Sequence, residues 1–196
     1  MTTCRAVPGG ERGFTLVEMM MVAFIGTILV AITSIGIGYV LESTRGDAAL
    51  AGVMAQLRQA RDRAINHRRT IQVDFVEPNE VRTTELDPTG GPTLLNQFFL
   101  EGNVQFVNFG TVPDTPDGFG DSAAIDFANE TPYFFVDGSL VDDTGALLSG
   151  TIYLGLQNEP LSARAVTVFG GTGQVRGYAW NGTAWVDSNG TACVEE

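Results

Sequence analysis

The chain has 196 residues, 44% hydrophobic and only 17% charged, with 24 glycines in no triplet period; that composition excludes a disordered chain and a collagen-like one. Its 11 basic residues are all arginine and face 23 acids, a net charge of -12, which argues against a general binder of nucleic acid or anionic membranes. Two cysteines exclude a disulfide-dense scaffold and an all-cysteine zinc site, and one histidine excludes a multi-histidine metal centre.

Charge is unevenly spread along the chain. Residues 1–13 carry Arg5 and Arg12 against Glu11, a net of +1, and residues 14–41 hold one charge, Glu18. Residues 42–70 set six arginines against Glu42, Asp47 and Asp62, whereas residues 71–196 set 18 acids against Arg82, Arg164 and Arg176, a net of -15. An apolar rod, a basic neck and an acidic body follow one another.

The rod contains 23 consecutive uncharged residues from Met19 to Leu41. As a helix they would reach about 35 Å, enough to cross a bilayer core of about 30 Å. The run is too long for the core of a cleaved secretory signal, and no small-x-small cleavage site ends it. A transmembrane anchor is expected, with Arg5 and Arg12 keeping the N-terminus cytoplasmic. Glu18 stands inside this apolar segment, where an ionisable group costs several kcal/mol unless it is paired or snorkels to the headgroups. The run Arg12-Gly13-Phe14-Thr15-Leu16-Val17-Glu18 supplies a partner. A cut between Gly13 and Phe14 creates an amine, and a carboxylate four residues on can pair with the amine of a neighbouring copy.

These residues, RGFTLVEMMMVAFIGTILVAI, resemble the class III signal of type IV prepilins and type II secretion pseudopilins. The resemblance implies that a membrane-embedded aspartyl prepilin peptidase cuts after Gly13 and methylates the new N-terminus at Phe14, and that Glu18 is the carboxylate of filament assembly. Residues 1–13 would then be a leader, and Cys4 would leave with it, so Cys193 would be alone and no intramolecular disulfide would form. Many family members carry a proline two-thirds along the apolar helix; this chain has Ile35 followed by Gly36 and Gly38, and each glycine costs about 1 kcal/mol relative to alanine in a helix.

The helix is expected to continue past the membrane to about Asn66, some 80 Å in all from Phe14. No proline interrupts residues 48–65, and Leu50, Val53, Met54, Leu57, Ala60 and Ala64 recur at three- and four-residue spacing, one apolar stripe on an amphipathic helix. Its other face carries Arg58, Arg61, Arg63, Arg68 and Arg69, with Arg58 and Asp62 spaced as an i,i+4 pair. That face is expected either to be solvated or to meet the acidic heads of adjacent subunits. His67, beside Arg68 and Arg69, reads as a solvated helix-end histidine.

The body reads as β-rich. Strands are expected at Ile71–Glu77, Asn103–Phe109, Pro132–Val136, Gly150–Gly155, Ala165–Phe169 and Gln174–Trp180. Turn signals separate them at Glu77-Pro78-Asn79, Asp87-Pro88-Thr89-Gly90-Gly91, Asp137-Gly138, Gly170-Gly171 and Asn181-Gly182, which predicts one or two antiparallel sheets. Residues 110–123, rich in proline, glycine and aspartate, read as a loop, flexible and solvated by default. Asp114, Asp117 and Asp121 there are candidate calcium ligands by their hard oxygens, although their spacing misses the alternate-position pattern of calcium loops. Neither a nucleophile motif nor a phosphate loop is present, so no catalytic residue and no cofactor is expected.

The runs LRQARDRAINHRRTIQV, GTIYLG and ARAVTVFGGTGQVRGY are similar to the GspH/FimT subgroup of minor pilins and pseudopilins. The resemblance implies a pilin-like α+β fold. A transmembrane and assembly helix over 14–41 and its amphipathic continuation over 42–69 would carry a two-sheet antiparallel domain over 70–196. It implies prepilin peptidase, other pilin subunits and the inner-membrane assembly platform as partners, and a place first in the bacterial inner membrane with the globular domain periplasmic, then in a pilus or pseudopilus. Some FimT-like pilins hold DNA with Gly-Arg-x-Arg; here the run is Gly173-Gln174-Val175-Arg176, with one arginine missing. DNA binding through Arg176 is therefore the alternative reading, opposed by the acidic body, because affinity for DNA rests on neutralising phosphates with several cations. Otherwise Arg176 reads as a strand-edge residue paired to an acid.

Overall fold

A computed structural model describes residues 14–120, 123–128 and 130–187, with the side chains of 31–42 outside that description. Two compact units meet inside the first helix, residues 1–40 and residues 41–196.

Helix α1 spans Leu16–His67. Thr15 stands just ahead of it, its Oγ1 accepting the Glu18 N–H at 3.2 Å and its carbonyl the Met19 N–H at 3.2 Å. Threonine before the helix and glutamate three residues on form the sequence pattern of a capping box, and the Thr15 hydroxyl gives one orphan N–H of the first turn, that of Glu18, a local partner. The helix ends where Arg68 turns to φ 52° and the Arg69 N–H returns to the Ala64 carbonyl at 3.3 Å. Among the described residues no helix is long and apolar enough to cross a membrane; the uncharged run from Met19 to Leu41 includes residues 31–41, whose side chains are not described, so the membrane expectation falls partly, and the soft point at Gly36 and Gly38 wholly, outside the described side chains.

Eleven strands follow among the described residues of the second unit. β1 (Thr70–Val76), β2 (Glu80–Asp87) and β3 (Gly91–Phe99) form an antiparallel meander, joined on the far side of β1 by β6 (Tyr133–Phe134) and β7 (Leu140–Val141). The order in this first sheet is β3-β2-β1-β6-β7. The second sheet runs β11-β10-β9-β8-β4, built from β4 (Val104–Phe106), β8 (Gly150–Leu156), β9 (Arg164–Phe169), β10 (Gln174–Trp180) and β11 (Trp185–Asp187). The short β5 (Ile125–Asp126) pairs with Thr151 and Ile152 of β8, next to the stretch that β4 covers. Every pairing is antiparallel, as the short strands and frequent turns imply.

One core joins the layers. Leu50, Val53, Met54, Leu57, Ala60 and Ala64 of α1 are all buried, so the predicted stripe is the buried face. They pack with Ile71 and Val73 of β1, Val81 of β2 and Phe134 of β6 from one sheet, and Ile152, Leu154, Val166 and Val168 from the other. A 3.6-residue period on the helix and a two-residue period on the strands thus put their apolar sets into one shared space. Gly177 on β10 allows the close approach of helix and sheet, because a Cβ there would meet Met54 Sδ at 2.5 Å. Gly173 turns the β9–β10 hairpin at φ 62°, a conformation that costs other residues strain.

Where strands were expected, the structure has β1, β8, β9 and β10 within a residue at each end, whereas Asn103–Phe109 and Pro132–Val136 shrink to β4 and β6. β2, β3, β5, β7 and β11 had no signal in the sequence. β2 alternates charged residues with Val81 and Thr83, and β3 is mostly exposed, so neither has an apolar period to read. β5, β7 and β11 have two or three residues each, too short for any period.

Candidate functional site

Residues 14–30 of the first unit present an apolar surface with one charge, Glu18. From Phe14 to Val30 the large apolar side chains are all 44–76% exposed and occur at nearly every helical position. A helix apolar all round needs an apolar surrounding, either lipid or other helices. Glu18 sits in the first turn of that helix, where its carboxylate meets the positive end of the helix dipole as well as the capping geometry of Thr15. Phe14 is 75% exposed ahead of the helix, while Gly13, with the rest of the expected leader, lies outside the described residues.

In the second unit the loop over 110–120 departs from the flexible, solvated reading. It lies on the outer face of the second sheet, held by the Trp185 Nε1–H to the Pro113 carbonyl at 2.9 Å and the Tyr153 hydroxyl to Asp114 Oδ1 at 2.5 Å. Asp117 Oδ2 accepts both the Thr167 hydroxyl at 2.8 Å and the Tyr178 hydroxyl at 3.1 Å. The loop therefore roofs a second cluster of Tyr153, Ala163, Ala165, Tyr178 and Trp185. Of the three calcium candidates, Asp114 and Asp117 give oxygens to these hydroxyls, and Asp121 lies outside the described residues. Among the described residues no group of three or more His, Cys, Asp or Glu side chains could hold a metal ion.

The two tyrosines carry the electrostatic mark of this docking. Burial, then the Asp114 carboxylate, pushes the Tyr153 phenol far above its usual range; burial and Asp117 push Tyr178 up to about 12. Both phenols are held neutral more firmly in the folded state than in the unfolded chain. Their contribution to stability is complete below about pH 10 and is lost as pH rises through the folded values. Ultraviolet titration should show Tyr178 ionising about two pH units late, and Asp117→Asn should move it back toward pH 10. Ionisation of all tyrosines together near pH 10 in the folded protein would contradict this arrangement.

The basic neck is used within its own domain. Arg63 pairs with Glu85 at 3.0 Å and Arg69 with Asp87 at 2.9 Å, so part of the predicted solvated face is a helix-to-β2 contact. Arg58 reaches the Val175 carbonyl at 3.4 Å and Arg61 the Gly138 carbonyl at 3.1 Å; the predicted Arg58–Asp62 pair is not among the ion pairs of the described residues. His67 is exposed at the helix end. Arg176 is exposed on β10, where it pairs with Thr167 of β9 and lies before the Tyr178–Trp180 stretch that β11 covers. It lines a cleft of about 280 Å³ with Asp117, Phe169 and Gln174 and bonds to the Tyr178 side chain, without an ion pair among the described residues.

Sequence reasoning missed Arg164, which is 4% exposed. Its guanidinium donates to Asp47 Oδ1 at 2.7 Å, to the Ala163 carbonyl at 3.0 Å and to the Leu161 carbonyl at 3.3 Å; a Ser43 carbonyl at 3.4 Å and hydroxyl at 3.3 Å complete the set. No local pattern marks it, because its partners on the helix, Asp47 and Ser43, come from 117 and 121 residues away.

Residues 9–34 match the model of the prokaryotic N-terminal methylation motif. No curated protein sequence matches the chain. Among solved structures the chain is similar to the minor pseudopilin EpsH from the type 2 secretion system of Vibrio cholerae. The two are 14% identical, with 71% of this chain and 99% of that one covered and a TM-score of 0.46. Residues 9–34 thus carry a prokaryotic N-terminal methylation motif, and an antiparallel two-sheet domain follows.

Proposed function

We propose that the chain is a minor pseudopilin or pilin subunit. Prepilin peptidase cuts it between Gly13 and Phe14 and methylates the Phe14 amine. The 14–41 helix then holds it in the inner membrane, N-terminus cytoplasmic and β-domain periplasmic, until it joins other subunits at or near the tip of a type II secretion pseudopilus or type IV pilus. Glu18 makes the assembly contact with a neighbour's amine. The observation that carries this reading is the methylation motif over residues 9–34, together with the helix it contains, apolar on every side but for Glu18. The role is structural: the polar clusters of the head hold loops and helix ends in place.

Mass spectrometry of the protein from cells with an active prepilin peptidase tests the first step. The expected N-terminus is Phe14 bearing one methyl group, and an intact leader in those cells would overturn the reading. A low-salt gel shift with double-stranded DNA tests the alternative. No shift is expected, because the exposed Arg176 stands in a domain whose net charge is -15 from residue 71 onward. A tight shift lost in Arg176→Ala would make the chain a DNA-capturing pilin instead.

A further inference from the structure

Four side chains of the second sheet stand together on one face. Gln174 of β10 pairs with Phe169 of β9, and Arg176 pairs with Thr167, so two alternate positions on each strand form a single patch. The face is the outer one, because the Thr167 hydroxyl donates to Asp117 of the loop over residues 110–120. Gly118 turns that loop at φ 66°, and Phe119 comes to lie beside Phe169 with ring centroids 6.0 Å apart and planes 23° from parallel. These six side chains and Thr172 line a cleft of about 280 Å³. That is close to the lower end of ligand-pocket sizes, about 300–1,000 Å³, so the cleft suits one small ring.

The lining is apolar on one side and polar on the other. Phe169 is 46% exposed although Phe119 braces it. Gln174 and Thr172 are exposed, and the side chain of neither forms a hydrogen bond among the described residues. Arg176 bonds to the Tyr178 hydroxyl, which leaves most of its five donors unspent. Asp117 is turned toward the sheet, its Oδ2 accepting the Thr167 and Tyr178 hydroxyls. With one guanidinium and one carboxylate the cleft has no net charge. An anion placed there meets Asp117 and a cation meets Arg176. A wholly apolar molecule would cover the amide and the hydroxyl without satisfying them, which costs free energy. A neutral sugar ring meets both demands, because it has a C–H face for the aromatic ring and a rim of hydroxyls that donate and accept.

We infer that this cleft binds a neutral pyranose of a glycan, its C–H face on Phe169 and its hydroxyls on Gln174, Thr172 and Arg176. The adjoining cleft of about 480 Å³ shares Thr172 and Gln174, so the next ring of the glycan has room beside the first. The site goes beyond the filament-subunit reading and does not depend on it.

The test is saturation-transfer NMR on the full-length chain in micelles of an amine-oxide detergent, which carries no sugar of its own. The probes are the tetramers of N-acetylglucosamine and of β-1,4-linked glucose, with tetragalacturonate as the charged comparison. Transfer to the ring C–H protons of a neutral tetramer is expected, and the pair of probes tells an N-acetylated glycan from a plain hexose one. Phe169→Ala should abolish the signal. Gln174→Ala, at an exposed position, should weaken binding about fivefold, the net contribution of one hydrogen bond, and it keeps the test decisive if losing Phe169 loosens the loop. Four results would overturn the site. They are no transfer to either neutral tetramer, a signal unchanged in both variants, stronger transfer to tetragalacturonate, which would make Arg176 an anion contact, and displacement by benzyl alcohol as effective as by the sugar, which would reduce the cleft to an apolar patch.

Discussion

Glu18→Ala is expected to leave cleavage after Gly13 intact and to abolish incorporation into filaments, a loss of at least an order of magnitude in the subunit recovered with sheared filaments. In the proposed function the peptidase reads the segment around Gly13 and Phe14. The assembly contact is expected to need a charged carboxylate opposite a cationic amine in apolar surroundings, where an unpaired ion costs several kcal/mol. The structure adds a competing explanation, since Glu18 stands at the third position of α1 with its N–H bonded to Thr15 Oγ1. Glutamine serves that capping position nearly as well as glutamate but has no charge. Glu18→Gln should therefore fail as completely as Glu18→Ala. Wild-type incorporation of the glutamine variant would assign Glu18 to helix capping, and the assembly role would fall.

Arg164→Ala is expected to destabilise the head by about 3 kcal/mol, within the range for breaking a buried, hydrogen-bonded charge site. Its side chain is 4% exposed, while that of its partner Asp47 is 56% exposed. Losing the guanidinium strips the carbonyls of Ser43, Leu161 and Ala163 of a donor and opens a cavity between α1 and the second sheet's η1 turn at Pro160–Ser162. Asp47→Ala should cost less, about 1 kcal/mol, because the carboxylate is half solvated and the guanidinium keeps its other acceptors. Urea unfolding of the two variants, with midpoints compared at equal slope, measures the difference. Equal losses would mean that the ion pair itself, and not the carbonyl set, holds the helix to the sheet. In a domain with a stability of ordinary size, a 3 kcal/mol loss would also lower the amount of protein available to assemble.

Sequence by itself determined what depends on short range. The order of apolar rod, basic neck and acidic body, the motif around Gly13, Phe14 and Glu18, the buried stripe from Leu50 to Ala64, and the antiparallel β class of the body all follow from local composition, capping and period. Those signals repeat within a few residues, so no partner is needed to read them. Tertiary structure alone decided which polar groups meet. The β2–β3 hairpin forms because β1 supplies a neighbour for strands with little apolar alternation of their own. The acidic loop turned from a solvated excursion into the roof over Tyr153 and Tyr178 because Asp114 and Asp117 find hydroxyls on β8, β9 and β10. Arg164, Arg58 and Arg61 each bond to a partner more than 70 residues away. Hydrogen bonds and ion pairs are directional and span any sequence distance that the fold closes, so their pairing is set by the packing of α1 between sheets whose strands come from the whole length of the body.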